Sequence, residues 1–193
     1  MKLIFATNNQ HKVDEIKAVI GKHFTITSLR EAGIGIEISE PHNTILENAS
    51  EKSKTIYQLT GSNCFSEDTG LEVEALDGAP GVKSARYAGD QKSFDANIEK
   101  LLLNLKDKSN RNARFKTIIS LLIDKEEFFF EGICEGEILN EKRGAGGFGY
   151  DSVFVPTGAT KSFAEMNLEE KNIFSHRRKA TDKLIKFLQN FST

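Results

Sequence analysis

Cysteine is scarce in this chain of 193 residues: only Cys64 and Cys134 occur, far apart and outside any Cys-x-x-Cys pair. That excludes a zinc ribbon, a dithiol redox centre and a disulfide framework, and it suits a reducing cytoplasm. Long apolar runs are missing as well. The opening Leu3-Ile4-Phe5-Ala6 gives way to Thr7-Asn8-Asn9, too short for a secretory core, and nothing approaches the roughly 18 apolar residues of a membrane span. The expectation is a soluble, cytoplasmic protein with no membrane partner. Net charge is small too: 26 basic against 28 acidic residues leave −2. No global field therefore draws nucleic acid or an anionic surface, and a polyanion must meet a local patch. Repeats, low-complexity tracts and linkers are absent.

What remains is ordinary globular material, 38% hydrophobic and 28% charged. A chain of this length buries roughly 70% of its surface, enough for a single domain over residues 1–193 and cramped for two. Strand and helix patterns interleave. Leu3–Thr7 reads as a buried strand, and Val13, Ile16 and Val19/Ile20 form a helical stripe that Gly21 stops. Phe24–Ser28 is a second strand. Thr44 and Glu47 have capping-box spacing before a helix that carries Ile45, Ala49, Ile56 and Tyr57 to about Thr60; Asn63–Ser66 then re-enters as strand. Asp77-Gly78-Ala79-Pro80-Gly81 predicts a loop with Pro80 and Gly81 at the centre of a type II turn. Ser93–Lys106 is helical through Phe94, Ile98, Leu101, Leu102 and Leu105, and Ala113–Ile123 with Phe128–Ile138 predicts a hairpin turning near Asp124-Lys125. Val153–Val155 is a brief strand, and from about Arg178 a last helix buries Ala180, Leu184, Phe187, Leu188 and Phe191. This alternation, with one antiparallel hairpin, predicts an α/β fold on a mixed sheet.

Four segments carry polar residues that a core does not request. Thr7-Asn8-Asn9-Gln10-His11-Lys12 joins a strand to a helix, where free N–H groups and the positive dipole end favour a phosphate and Lys12 adds a point charge. An Asn N-cap beside a solvated lysine explains the same residues. A second, acidic segment holds Glu37 and Glu40 and, directly after a strand, Glu67-Asp68-Thr69-Gly70; carboxylates so placed suit Mg²⁺, as does a plain polar turn. Third, Gly144-Ala145-Gly146-Gly147-Phe148-Gly149 satisfies G-x-G-x-x-G, but the strand Val153–Val155 follows instead of a helix, so a dinucleotide fingerprint is rejected. A glycine loop presenting Phe148 or Tyr150 as a stacking face and Asp151 as an acceptor fits better. The fourth segment is Lys171–Lys179, five of whose nine residues can be cationic; positive charge at a helix start opposes the dipole unless an anion is near. No Walker-type loop exists in the sequence. Together the four compose a Mg-nucleotide site without naming a reaction.

The ordered motifs Thr7-Asn8-Asn9-x-x-Lys12, Ser66-Glu67-Asp68-Thr69-Gly70-Leu71, Gly78-Ala79-Pro80-Gly81 with Ser84-Ala85-Arg86-Tyr87, Gly147-Phe148-Gly149-Tyr150-Asp151 and Ser175-His176-Arg177 resemble the inosine triphosphate pyrophosphatase family, from residue 1 to the last helix. The resemblance implies hydrolysis of ITP, dITP and XTP to monophosphate and pyrophosphate by an elongated α/β domain, a mixed sheet with flanking helices and two lobes around a nucleotide-binding groove, normally a homodimer. It implies that Thr7, Asn8, Asn9, Gln10, His11 and Lys12 cradle the triphosphate, and that Glu40 and Asp68 hold Mg²⁺, Asp68 also accepting the proton. Thr69 would touch substrate, Phe148, Gly149, Tyr150 and Asp151 would enclose the base, Lys171 would reach the phosphates, and His176 with Arg177 would read the base edge. The sequence departs from the family pattern at Glu67, where Asp is common, at Pro41-His42 after the metal Glu, at Ser152 and at Arg178. The rival readings are a pyrimidine triphosphate pyrophosphatase of similar fold, which should lack Ser-His-Arg, and a non-catalytic nucleotide sensor, which would not need Asp68.

Overall fold

The computed structural model describes residues 1–20 and 24–191. Seven strands and five α-helices are found among them: β1 (Lys2–Phe5), α1 (Gln10–Ile20), β2 (Thr25–Ser28), α2 (Ile45–Thr60), β3 (Cys64–Val73), β4 (Pro80–Gly81), α3 (Phe94–Asn104), β5 (Asn112–Ile123), β6 (Glu126–Ile138), β7 (Phe154–Pro156), α4 (Leu168–Phe174) and α5 (His176–Phe191). The strands form a mixed sheet in the order β2-β1-β3-β5-β6-β7, with β4 on β3. β1 runs parallel to β2 and β3, whereas β3–β4 and β6–β7 are antiparallel, so the sheet is mixed as expected. None of the helices among the described residues is long and apolar enough to cross a membrane.

The chain forms two compact units, neither continuous in sequence. The first takes Met1–Asp68, Thr117–Gly132 and the chain from Arg177 onward; the second takes Thr69–Lys116 and Ile133–His176. β3, β5 and β6 each contribute residues to both. In the first unit alternate residues of the strands serve two cores. Leu3, Phe5, Phe65, Ile119 and Leu121 meet Val13 and Ile16 of α1 and Ala180, Leu184 and Leu188 of α5. Ile4, Ala6, Cys64 and Leu122 meet Ile56 of α2. That division is the period-2 alternation of a strand whose faces are both covered. The second unit has its own core around Leu71, Val73, Ile98, Leu101, Leu105, Phe115, Phe154 and Phe163.

Local signals decide most element ends. Thr44 caps α2 by accepting the Glu47 N–H, its hydroxyl meets the Glu47 carboxylate at 2.7 Å, and Gly61 closes the helix at φ 63°. The hairpin turns at Asp124 and Lys125, both with positive φ. Other expectations are corrected. α5 starts two residues earlier than its apolar pattern indicates, at His176, and Phe191 is exposed on its last turn, where it packs its ring against Phe187. The tight turn near residue 80 centres on Asp77 and Gly78, with φ of 52° and 83°, because an Asp-Gly pair adopts positive φ at both positions; Pro80 and Gly81 pair with β3 instead. Phe94 on the α3 stripe is exposed, while Ile98, Leu101 and Leu105 are buried. Gly21, the expected stop of α1, lies outside the described residues.

Candidate active site

β3 does not end at Ser66. It runs to Val73, so Glu67 and Asp68 lie within a buried strand, not on the polar turn that follows one. A strand points successive side chains to opposite faces. Ser66 and Asp68 therefore turn toward α2, where the Ser66 hydroxyl donates to the Ala49 carbonyl, and Glu67 turns toward α1 and α5. The two acids do not form a pair.

On the α2 face Asp68 meets Lys52. The Lys52 ammonium donates to Asp68 Oδ1 and to Glu40 Oε1, each at 2.8 Å, with its side chain 8% exposed. Burial pushes the Asp68 carboxyl up; Lys52 and Lys12 oppose that, and the Glu40 charge adds to it. Burial alone would lower Lys52, but Asp68 and Glu40 outweigh it and raise its pKa. Glu40 reaches this point from an irregular segment whose Ile34, Ile36 and Ile38 pack on the α2 core. Buried Asn48 steadies the segment by accepting the His42 N–H at 2.9 Å and donating to the His42 carbonyl at 3.1 Å, which accommodates the unusual Pro41-His42. Two carboxylates converging on one cation suit Mg²⁺, which commonly takes one or two protein carboxylates and completes its shell with substrate phosphates and water. A complete protein cage is not present: among the described residues no three His, Cys, Asp or Glu side chains converge. Glu37, the other acid of that segment, is exposed.

On the opposite face Arg177 grips Glu67 through Nε at 2.6 Å and Nη2 at 2.8 Å, and its Nη1 meets Glu15 of α1. Lys12 comes within 3.2 Å of Glu67 Oε1. Burial opposes the Arg177 charge, yet Glu67 and Glu15 raise its pKa further. The positive helix start of α5 thus meets anions from its own chain. At the entrance to α1, Thr7 Oγ1 accepts the Asn9 N–H and Asn9 Oδ1 accepts the Lys12 N–H, so Asn9 caps the helix; Asn8 donates to the Ile36 carbonyl and Gln10 to Asp14. His11 lies exposed on the first turn. Lys12 is drawn in by Glu67 and is not the solvated lysine of a bare N-cap.

The second unit collects the remaining candidates. Lys171 of α4 and Asp151 are both buried, with Nζ 2.7 Å from Oδ2. The same Oδ2 accepts the Phe148 N–H at 2.9 Å, which closes the glycine loop. Gly147 has φ +71°, and a Cβ there would collide with the Asp151 carboxylate, so glycine is required. Gly149 also has positive φ. Tyr150 donates its hydroxyl to the Ser84 carbonyl at 2.8 Å, which makes it a packing residue more than an exposed stacking face; burial, and then Tyr87, push its pKa up. The Lys171 ammonium lies 5.2 Å from the Phe148 ring centre. His176 is buried with its ring 4.7 Å from that of Phe115, nearly parallel. Thr69, the next residue of β3, is half-buried.

The candidates fall into two groups. Thr7 to Lys12, Glu40, Asp68 and Arg177 belong to the first unit, and Thr69, Phe148 to Asp151, Lys171 and His176 to the second. The adjacent His176 and Arg177 thus enter different units. Sequence reasoning missed Lys52 and Glu15 and placed Glu67 among the Mg²⁺ carboxylates or on a polar turn, whereas it is taken up by Arg177. Lys52 had a signal, since it shares the stripe of Ala49 and Ile56 on α2, where a solvated lysine does not belong. Arg178, a departure from the family pattern, pairs with Asp182 at 2.7 Å along α5.

Comparison with known proteins bears out the family expected from the motifs. The Ham1 family pattern matches residues 3–187. A dITP/XTP pyrophosphatase of Christiangramia forsetii is 52% identical over 188 residues, 97% of this chain and 99% of the relative. The structure of the Staphylococcus aureus Ham1 protein superposes with a TM-score of 0.89 at 38% identity, covering 98% of this chain and 99% of that one. A Mycobacterium abscessus structure described as a nucleoside-triphosphatase / dITP/XTP pyrophosphatase gives a TM-score of 0.77 at 35% identity, covering 95% and 98%. By the extent of these matches and by its fold, the chain belongs to the Ham1 family.

Proposed function

We propose that the chain hydrolyses non-standard purine nucleoside triphosphates, ITP, dITP and XTP, to the monophosphate and pyrophosphate. The observation that carries this reading is the buried Asp68, set with Glu40 around one cation in a chain whose relatives are named for this activity. Glu40 and Asp68 would hold Mg²⁺, which would supply charge screening for the leaving pyrophosphate and a lowered pKa for water. Asp68 also takes a proton from the attacking water. The α1 entrance, with Lys12, binds the triphosphate at a helix N-terminus. Phe148 and Gly149 face the base, with Tyr150 and Asp151 holding their loop from within, Thr69 and Lys171 support substrate, and His176 and Arg177 set base selectivity. On the resemblance, the enzyme acts as a cytoplasmic homodimer.

A guanidinium has only donors, so Arg177 favours a 6-oxo purine over the 6-amino group of adenine. A panel of nucleoside triphosphates with Mg²⁺, read for pyrophosphate separately from orthophosphate, tests the reading. ITP and XTP should be cleaved between the α and β phosphorus, only with a divalent cation, and far faster than ATP. Comparable kcat/KM for ATP, orthophosphate as first product, or a preference for pyrimidine triphosphates would overturn it.

A further inference from the structure

Phe94 opens α3 with a large apolar ring that keeps 42% of its surface exposed. Its ring lies 6.3 Å from that of Phe148, tilted by 46°. That separation is within the range of interacting aromatic pairs. One residue on, Asp95 meets Lys142 at 2.7 Å, on the segment leading into the glycine loop. α3 itself is fixed: Ile98, Leu101 and Leu105 sit in the core, and buried Asn97 accepts the Ala88 N–H at 2.7 Å and donates to the Ala85 carbonyl at 3.1 Å. A rigid helix thus presents two side chains to the loop that carries Phe148. Lys171 approaches the same ring, and Asp151 holds the backbone beneath it.

We propose that Phe94 is a positioning residue for the base subsite, holding the Phe148 ring as a fixed stacking face for a flat purine. The inference rests on the reading that Phe148 faces the base. A glycine-rich loop loses much conformational freedom on closing over a ligand, so a ring that orders it beforehand strengthens binding without touching the reacting phosphates. The effect therefore belongs in KM and not in kcat, and it acts through Phe148.

The test compares the parent with Phe94→Ala, Phe94→Tyr, Phe148→Ala and the double variant Phe94→Ala/Phe148→Ala, by steady-state kinetics on ITP. Phe94→Ala should raise KM about three- to tenfold, the range a lost aromatic pair carries, with kcat within about twofold. Phe94→Tyr should restore KM, and the double variant should be no worse than Phe148→Ala alone. Because the chain contains no tryptophan, Phe94→Trp supplies a single indole that can be excited apart from the three tyrosines. The fluorescence of that variant should change on titration with inosine monophosphate, with no turnover needed. If the parent cleaves ITP while Phe94→Ala leaves KM within twofold, lowers kcat instead, or adds its effect to that of Phe148→Ala, the positioning role is overturned. If the parent cleaves no purine triphosphate and the emission of the Phe94→Trp variant ignores inosine monophosphate, the proposed function itself falls.

Discussion

Glu67 and Asp68 are neighbours on one strand and face opposite surroundings. Glu67 is wholly buried against a bidentate Arg177 and Lys12, with Glu15 the second carboxylate on the same guanidinium. Asp68 shares a single buried ammonium with Glu40, and burial works against its charge. Charges balance on one face of the strand, Arg177 and Lys12 against Glu67 and Glu15, whereas the other has two carboxylates for one ammonium and can take a further positive charge. The difference separates an acid that fixes structure from an acid left available for chemistry.

The comparison can be broken most forcefully at Asp68. Asp68→Asn should lower kcat on ITP by at least ~10² to 10⁴, since the proposed base and metal roles go together. The fold should hold, because burial already disfavours the charge and Glu40 still faces Lys52; repulsion from Glu67 plays no part, as that side chain points the other way. Turnover within tenfold of the parent would remove Asp68 from the mechanism. Glu67→Gln should do the reverse. It strips a buried guanidinium of its bidentate partner, at a cost of about 3 to 5 kcal/mol, and should lower the thermal midpoint by roughly 6 to 20 °C while turnover of the folded fraction falls less than in Asp68→Asn. A midpoint unchanged in calorimetry would show that Glu67 is not the balancing charge.

Lys52 sharpens the contrast through pH. In the proposed role Asp68 must be ionised, and in the metal-free protein burial holds its pKa above the ordinary 3.8, so kcat/KM should fall as pH drops through that raised value. Lys52 favours the ionised form; Lys52→Met should therefore move the acid limb to higher pH, by about one unit or more. A limb that stays in place would uncouple the two residues. The smallest effect belongs to Arg178→Ala, which removes an exposed pair with Asp182 worth about 0.3 to 0.5 kcal/mol. The midpoint should stay within about 2 °C and KM for ITP within about twofold; a larger rise in KM would place Arg178 at the substrate.

The strands and most helices are legible in the sequence because their apolar residues keep the period of the element that buries them. α1, α2 and the β5–β6 hairpin are examples. β3 reads as ending at Ser66 because two consecutive acids normally end a buried strand, and what neutralises them lies elsewhere: Lys52 is 16 residues from Asp68 and Arg177 is 110 from Glu67. α4 escapes the periodic reading through its brevity, although Asn167 and Glu170 cap each other at the required spacing. The candidate residues stand out because several carry polar or aromatic groups a core does not need. Their partners stand out less: Glu15 looks like any exposed charge until the opposing face is known, and Lys52 shows itself only by its place on the apolar stripe of α2.

The distance between Glu67 and Arg177 also gives the molecule a timetable. A ribosome adding about 5 to 20 residues per second needs roughly 5 to 20 s to travel the 110 positions between them. Through that interval the nascent strand carries an acid whose bidentate partner does not yet exist. The first unit can close on α1 and α5 only after the last helix has been made, so chains stopped before residue 177 should be captured by proteases or chaperones instead of accumulating as a native-like core.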